Sequence, residues 1–285
     1  MPERMSTMSD QQPLTGAERL AQLRQAIGAI ESTSADLVRQ PRPPAEDYGG
    51  AQASRSDTPE SITYVGMPEG DDWMRRIPAR YHDGQDGFDR RIMEELAAVG
   101  APCYTLNDLT KARTVPQGIP IFVDWLNHLE ERIPGPEDHH RQAIRSNLIR
   151  NLNDPAARGN RDAIDALINQ LERRPPLPGG ATGFAGFALK RIATKRDFPR
   201  VAQLIEDLPP EMSKGPLIEY LGKVKTPEAL DIALRYLDTE WTYYSLKALI
   251  AMKPAGIRSR VEPHLKDPNA MIRRLARRAL QKLPE

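Results

Sequence analysis

A single cysteine, Cys103, among 285 residues excludes an intramolecular disulfide and suits a reducing compartment. No histidine sits near it in a supporting motif, so an inert, partly buried thiol is the expectation rather than a nucleophile. Aromatic residues are only 6% of the chain, and alternating runs rich in Val, Ile and Thr are scarce. Only the Ser61–Met67 stretch SITYVGM offers a short strand signal, so helix should dominate. No run of eighteen apolar residues is present, which leaves no candidate membrane span. The first twenty residues contain no apolar run of the signal-peptide kind, and the expected location is cytoplasmic. Charge of one sign is also missing: 28% of residues are charged, yet the formal net charge is +1. Attraction to nucleic acid or to an anionic surface would therefore have to come from a local patch.

The expected organisation runs from a polar, disordered tail at 1–13 to an amphipathic helix at 14–39. In that helix Leu20, Leu23, Ile27, Ile30 and Leu37 recur at alternating steps of three and four, broken by Ser34. The seam suits docking on its own protein, self-association or a partner helix. Residues 40–60, rich in Pro, Gly, Ser and Ala, bury too little to order themselves and read as a flexible linker. Residues 61–115 form an N-terminal extension expected to pack on the helices of 116–285. It contains helices at Asp89–Val99, with Ile92, Leu96 and Val99 on one face, and at Leu106–Ala112. The carboxylates of EGDDW and YHDGQDGFD lack the alternating spacing of a calcium loop, and no metal site is expected there. His139 and His140 are adjacent rather than on one helix face, and no further residue completes a zinc set.

From 116 onward, amphipathic helices of ten to sixteen residues alternate with Pro/Gly/Asp turns. Thr226-Pro227-Glu228 and Asp267-Pro268-Asn269 each place a capping side chain before a proline at a helix start. First helices share an apolar spacing: Phe122, Trp125, Leu126, Leu129; Ile164, Leu167, Ile168, Leu171; Val201, Leu204, Ile205, Leu208; Leu230, Ala233, Leu234, Leu237; and a shortened Val261, Leu265. Second helices obey their own rule, through Ile144, Leu148, Ile149, Leu152, then Phe184, Ala185, Ala188, Leu189, Ile192. The rule continues through Leu217, Tyr220, Leu221, Val224, then Trp241, Tyr244, Ser245, Ala248, Leu249, Met252, and last Ile272, Leu275, Ala276, Ala279, Leu280, Leu283. Five pairs at a period of about thirty to forty residues predict an all-α fold, an α-solenoid in which stacking buries what one pair cannot.

The stretch LKDPNAMIRRLARRALQKL, Leu265–Leu283, resembles a HEAT repeat, and TPEALDIALRYLDTEWTYYSLKALIAM, Thr226–Met252, is similar. The resemblance covers about 116–285. It implies a non-enzymatic scaffold or adaptor that binds a protein, without cofactor or metal; some bacterial HEAT-like proteins are immunity-type inhibitors. In HEAT-like stacks the second helices line the concave face, which would gather Tyr243, Lys247, Arg274 and Arg278 into one basic, aromatic patch. Arg277 aligns with Leu246 and Ile218, and Gln281 with Ile250 and Gly222, as a terminal repeat with a polar outer face requires. The alternative implied by the resemblance is a DNA-binding enzyme of the alkylbase glycosylase type, using Trp241 with the same patch. The glycines of GGATGFAGF lack the Lys-Ser/Thr ending of a phosphate loop, and Gly183 and Gly186 are expected to permit close helix approach.

Overall fold

The computed structural model describes residues 62–70, 72–77, 87–177 and 180–284. The expected helix at 14–39, with Leu20, Leu23, Ile27 and Ile30, and the linker at 40–60 lie outside the described residues, as does most of the YHDGQDGFD segment. The described part is all-helical and contains no strand. Residues 62–67 form a turn rather than the short strand suggested by SITYVGM; Tyr64 is buried there and donates to the Pro102 carbonyl at 2.8 Å. Helix α1 is Arg90–Ala98, its start capped by Asp89, whose side chain accepts from the Arg91 N–H. It buries Ile92, Met93 and Leu96, while Val99 is half-buried. In place of a helix at Leu106–Ala112 there is a 3₁₀ turn, Asp108–Lys111, because Asp108 folds back to accept from the Thr105 N–H and hydroxyl.

The remaining helices are α2 (Ile119–Asn127), α3 (Leu129–Arg132), α4 (His139–Asn151), α5 (Arg161–Glu172), α6 (Ala181–Ile192), α7 (Phe198–Asp207), α8 (Lys214–Val224), α9 (Pro227–Arg235), α10 (Thr242–Met252), α11 (Arg258–Val261) and α12 (Ala270–Lys282). Local sequence sets their starts. Asp138, Asn160 and Thr226 each accept from the third N–H beyond, satisfying a donor that the helix cannot. Pro227 occupies the first helical turn, as its missing N–H allows. At α12 the cap is Asn269, not Asp267; Asp267 instead accepts from the Asn269 N–H, leaving Pro268 outside the helix.

Consecutive helices pack in pairs: α2 on α4, α5 on α6, α7 on α8, α9 on α10, and α11 with the 3₁₀ turn after it on α12. Second helices also contact each other in order, α4 on α6, α6 on α8, α8 on α10 and α10 on α12. The expected apolar rows are buried through Phe122, Trp125, Leu126, Leu129, Ile164, Leu167, Val201, Leu204 and Ile205. The α9 row holds at Ala233 and Leu237, both buried, but Ala229 and Ile232 are buried ahead of Leu230 and Leu234, which are half-buried. After α11, His264 takes the buried place expected for Leu265. Ile218 and Leu246 are wholly buried where α8 and α10 meet their neighbours, whereas Arg277 and Gln281 on α12 are exposed.

The extension shares this core. Cys103, Leu106, Leu109 and Val115 are buried with it, and α1 packs on α2. Asn151 donates to the Leu106 carbonyl at 2.8 Å, and the buried Asp154 accepts from the Val115 N–H at 2.6 Å.

Candidate functional site: a basic cleft across three second helices

Helix α6 ends in Lys190 and Arg191; α8 carries Glu219 and Lys223; α10 carries Tyr243 and Lys247. A spacing of four puts Glu219 and Lys223 on one face of α8, and Tyr243 and Lys247 on one face of α10. The packing of α8 between α6 and α10 brings the three faces together. Glu219 Oε2 accepts from Lys190 Nζ at 3.2 Å and meets Lys247 Nζ at 3.0 Å, so one carboxylate oxygen holds an ammonium from each flanking helix. Each ammonium also faces an aromatic ring of its own helix: Lys190 lies 5.1 Å from the Phe187 centroid and Lys247 lies 5.2 Å from that of Tyr243. Further along the same row, the Arg150 guanidinium lies 5.3 Å from the Phe184 ring. These are distances at which a cation is drawn to a ring face.

A cleft of about 300 Å³ opens among Lys190, Arg191, Glu219, Lys223 and Lys247, with the small residues Gly222 and Ala251 also in its lining. Four cationic side chains face one carboxylate, a net formal charge of +3. The small residues follow from helix contact: a Cβ on Gly222 would stand 2.9 Å from that of Ala251. Burial pushes the Lys190 ammonium below the ordinary lysine range. Lys247 and Arg191 push the same way by repulsion, and Glu219 only partly opposes them. Lys223 is lowered too, first by burial and then by Arg158, Lys190 and Arg191. Its Nζ donates to the carbonyls of Lys190 and Arg191, at the negative end of α6.

The four residues singled out in the sequence are distributed unevenly. Tyr243 and Lys247 stand together, with Lys247 in the cleft wall. Arg274 and Arg278 lie exposed on the neighbouring α12, outside the cleft lining and without an ion pair among the described residues. Arg273 turns back to donate to the carbonyls of Asp267 and Pro268, both at 2.8 Å, rather than meeting a carboxylate. Lys190, Glu219 and Lys223 had escaped sequence reasoning. The register that aligns Leu246 with Ile218 also sets Lys247 over Glu219, and that was the available signal.

Other candidates are taken up by structure. Trp125 is fully buried, donates to Glu95 Oε2 at 2.7 Å and lies under Arg132, 4.5 Å from its ring centroid. Asp124 is held by Arg132 and His128. The Cys103 thiol is pushed far up by burial and lies 3.5 Å from Met93 Sδ, so no thiolate is on offer. Among the described residues no group of three His, Cys, Asp or Glu side chains stands close enough to hold a metal, and no helix is long and apolar enough to cross a membrane. Among the described residues, fold and cleft define an all-helical body with a basic, aromatic-edged face. Compared with known protein families and with curated proteins, the chain shows no match.

Proposed function

We propose that the chain is a HEAT-like α-solenoid scaffold, cytoplasmic and non-enzymatic, which binds an acidic surface of a protein partner along the wall made by its second helices. The observation that carries this reading is the unbroken packing of α4, α6, α8, α10 and α12, with cation-over-ring pairs at Arg150/Phe184, Lys190/Phe187 and Lys247/Tyr243. Arg274 and Arg278 extend the same charge to the end of the row. A wall of that kind supplies long-range attraction from its charges and apolar contact area from its rings. An inhibitor of a toxin or enzyme is one form such a scaffold takes.

The reading as a DNA enzyme of the alkylbase glycosylase type has less support. Trp241 is 3% exposed and so withdrawn into the core, and Glu219 is held by two lysines. The test is charge reversal at two exposed positions, Arg274→Glu with Arg278→Glu, in the full chain. A partner recovered with the native chain should bind the variant at least about tenfold more weakly, each rim charge contributing about 1 kcal/mol. Undiminished binding, or binding only of duplex DNA with a steep salt dependence, would overturn the proposal.

A further inference from the structure

The cleft between α6, α8 and α10 is built differently from the rest of the wall. Arg150, which donates to Asn107 and Asn147, and the pair Arg274 and Arg278 share no carboxylate with a second cation among the described residues, whereas Lys190 and Lys247 converge on one oxygen. An ammonium has three N–H donors. For each of these two lysines the shared Glu219 oxygen is the one hydrogen-bonding or ion-pairing partner among the described residues. The remaining donors border a cleft of about 300 Å³, the lower end of the size of small-ligand sites. The side chains are partly withdrawn from solvent, 24% exposed for Lys190, 32% for Lys247 and 19% for Glu219, so water screens these charges less than it would on an open surface.

We infer that this cleft is a binding site for a phosphate monoester dianion, received by the ammonium groups of Lys190 and Lys247 with Glu219 as the internal anion that occupies them in its absence. Charge selects phosphate over a carboxylate. Against a net formal charge of +3, a carboxylate leaves two charges uncompensated and a dianion one. Geometry selects it as well: three terminal oxygens match donors converging from two helices, where a carboxylate would be a poorer copy of the Glu219 already there. The depressed ammonium of Lys190 agrees, because an incoming anion restores what burial has cost. The phosphate has two sources, a small free phosphate or a phosphorylated side chain of a protein partner. The inference deepens the proposal of a partner-binding wall and rests on it for the second source.

Calorimetric titration of the full chain with inorganic phosphate, with a short phosphoserine peptide and with the same peptide carrying glutamate tests it. Phosphate or phosphopeptide should bind, with the glutamate peptide about tenfold weaker or worse, the difference of a lost charge-assisted hydrogen bond. Lys247→Gln should weaken phosphate binding by a similar factor, and Lys190→Gln gives the same readout should the first variant not fold. Glu219→Gln should tighten it several-fold, because the competing carboxylate is gone; a purely structural ion pair would not respond that way. Equal affinity for inorganic phosphate and phosphopeptide assigns a small free ligand, and tighter phosphopeptide binding assigns a modified partner. Equal binding of the glutamate peptide, indifference to Lys247→Gln, or weakening by Glu219→Gln overturns the site. Absence of phosphate binding while the Arg274/Arg278 reversal still abolishes partner binding removes the phosphate site alone. Phosphate binding with a partner indifferent to that reversal removes the partner reading alone.

Discussion

Arg145 is a charged side chain only 1% exposed, and each of its three guanidinium nitrogens donates a hydrogen bond. Its Nε and Nη2 donate to the two oxygens of Glu137 at 2.8 Å each, Nη2 also to Glu130 at 2.6 Å, and Nη1 to Gln170 at 2.8 Å. Replacing Arg145 with Met strands these acceptors, and urea unfolding should show a loss of about 3 kcal/mol. Burial pushes the Glu130 carboxyl up, but the hydrogen bond and charge of Arg145, with the charge of Arg173, outweigh it and hold the group below its ordinary value of 4.5. A carboxyl lowered in the folded state stabilises above its unfolded pKa, and that contribution disappears as pH falls through the folded value. Stability of the native chain should therefore decline as pH falls from about 4.5. In Arg145→Met that decline should be shallower, since Glu130 loses the partner that lowers it. The second-helix register sets Arg145 where Ala185, Leu217, Ser245 and Ala276 stand, all buried, so its inward position was legible; its partners Glu130 and Gln170, on other helices, were not. Tyr243 and Lys247 were legible because both fall off the apolar stripe at a spacing of four.

Elements show where local rules hold and where packing overrides them. The caps at Asp138, Asn160 and Thr226 act within three residues, so spacing in the chain suffices to find them. In α9 the row is right at Ala233 and Leu237 and differs at Leu230 and Leu234, because these are as apolar as Ala229 and Ile232, which turn inward instead; the helix crossing picks between the two faces. The left-handed ends of α8 and α10 fall on Lys225 and Lys253, at φ 62° and 57°, with no glycine to announce them. Gly186 does carry the meaning expected of it. A Cβ there would stand 2.6 Å from the Ser213 carbonyl oxygen and 2.8 Å from its Cα, both backbone atoms that cannot turn aside. Gly186→Ala should force α6 and α8 apart and cost about 2 kcal/mol, seen as a lower denaturant midpoint with an unchanged slope.

At the scale of the whole molecule, the extension before α2 is part of the core. Trp125 reaches back to Glu95, Asn151 to the Leu106 carbonyl and Asp154 to Val115. A fragment of 116–285 would uncover faces now covered by Ile92, Met93, Leu96, Leu106 and Leu109. It should be less stable than the full chain by at least about 3 kcal/mol, and bind a hydrophobic dye that the full chain does not. The all-helical character, the helix starts and most inward positions, Ile218 and Leu246 among them, were determined by the sequence alone, since an apolar period of 3.6 and a capping side chain are properties of adjacent residues. The basic cleft was decided only by tertiary structure. Lys190, Glu219 and Lys247 belong to three helices, and whether their charges meet depends on how far each helix is rotated and slid against the next, which is fixed by the packing of buried side chains such as Ile218, Ala248 and Leu249.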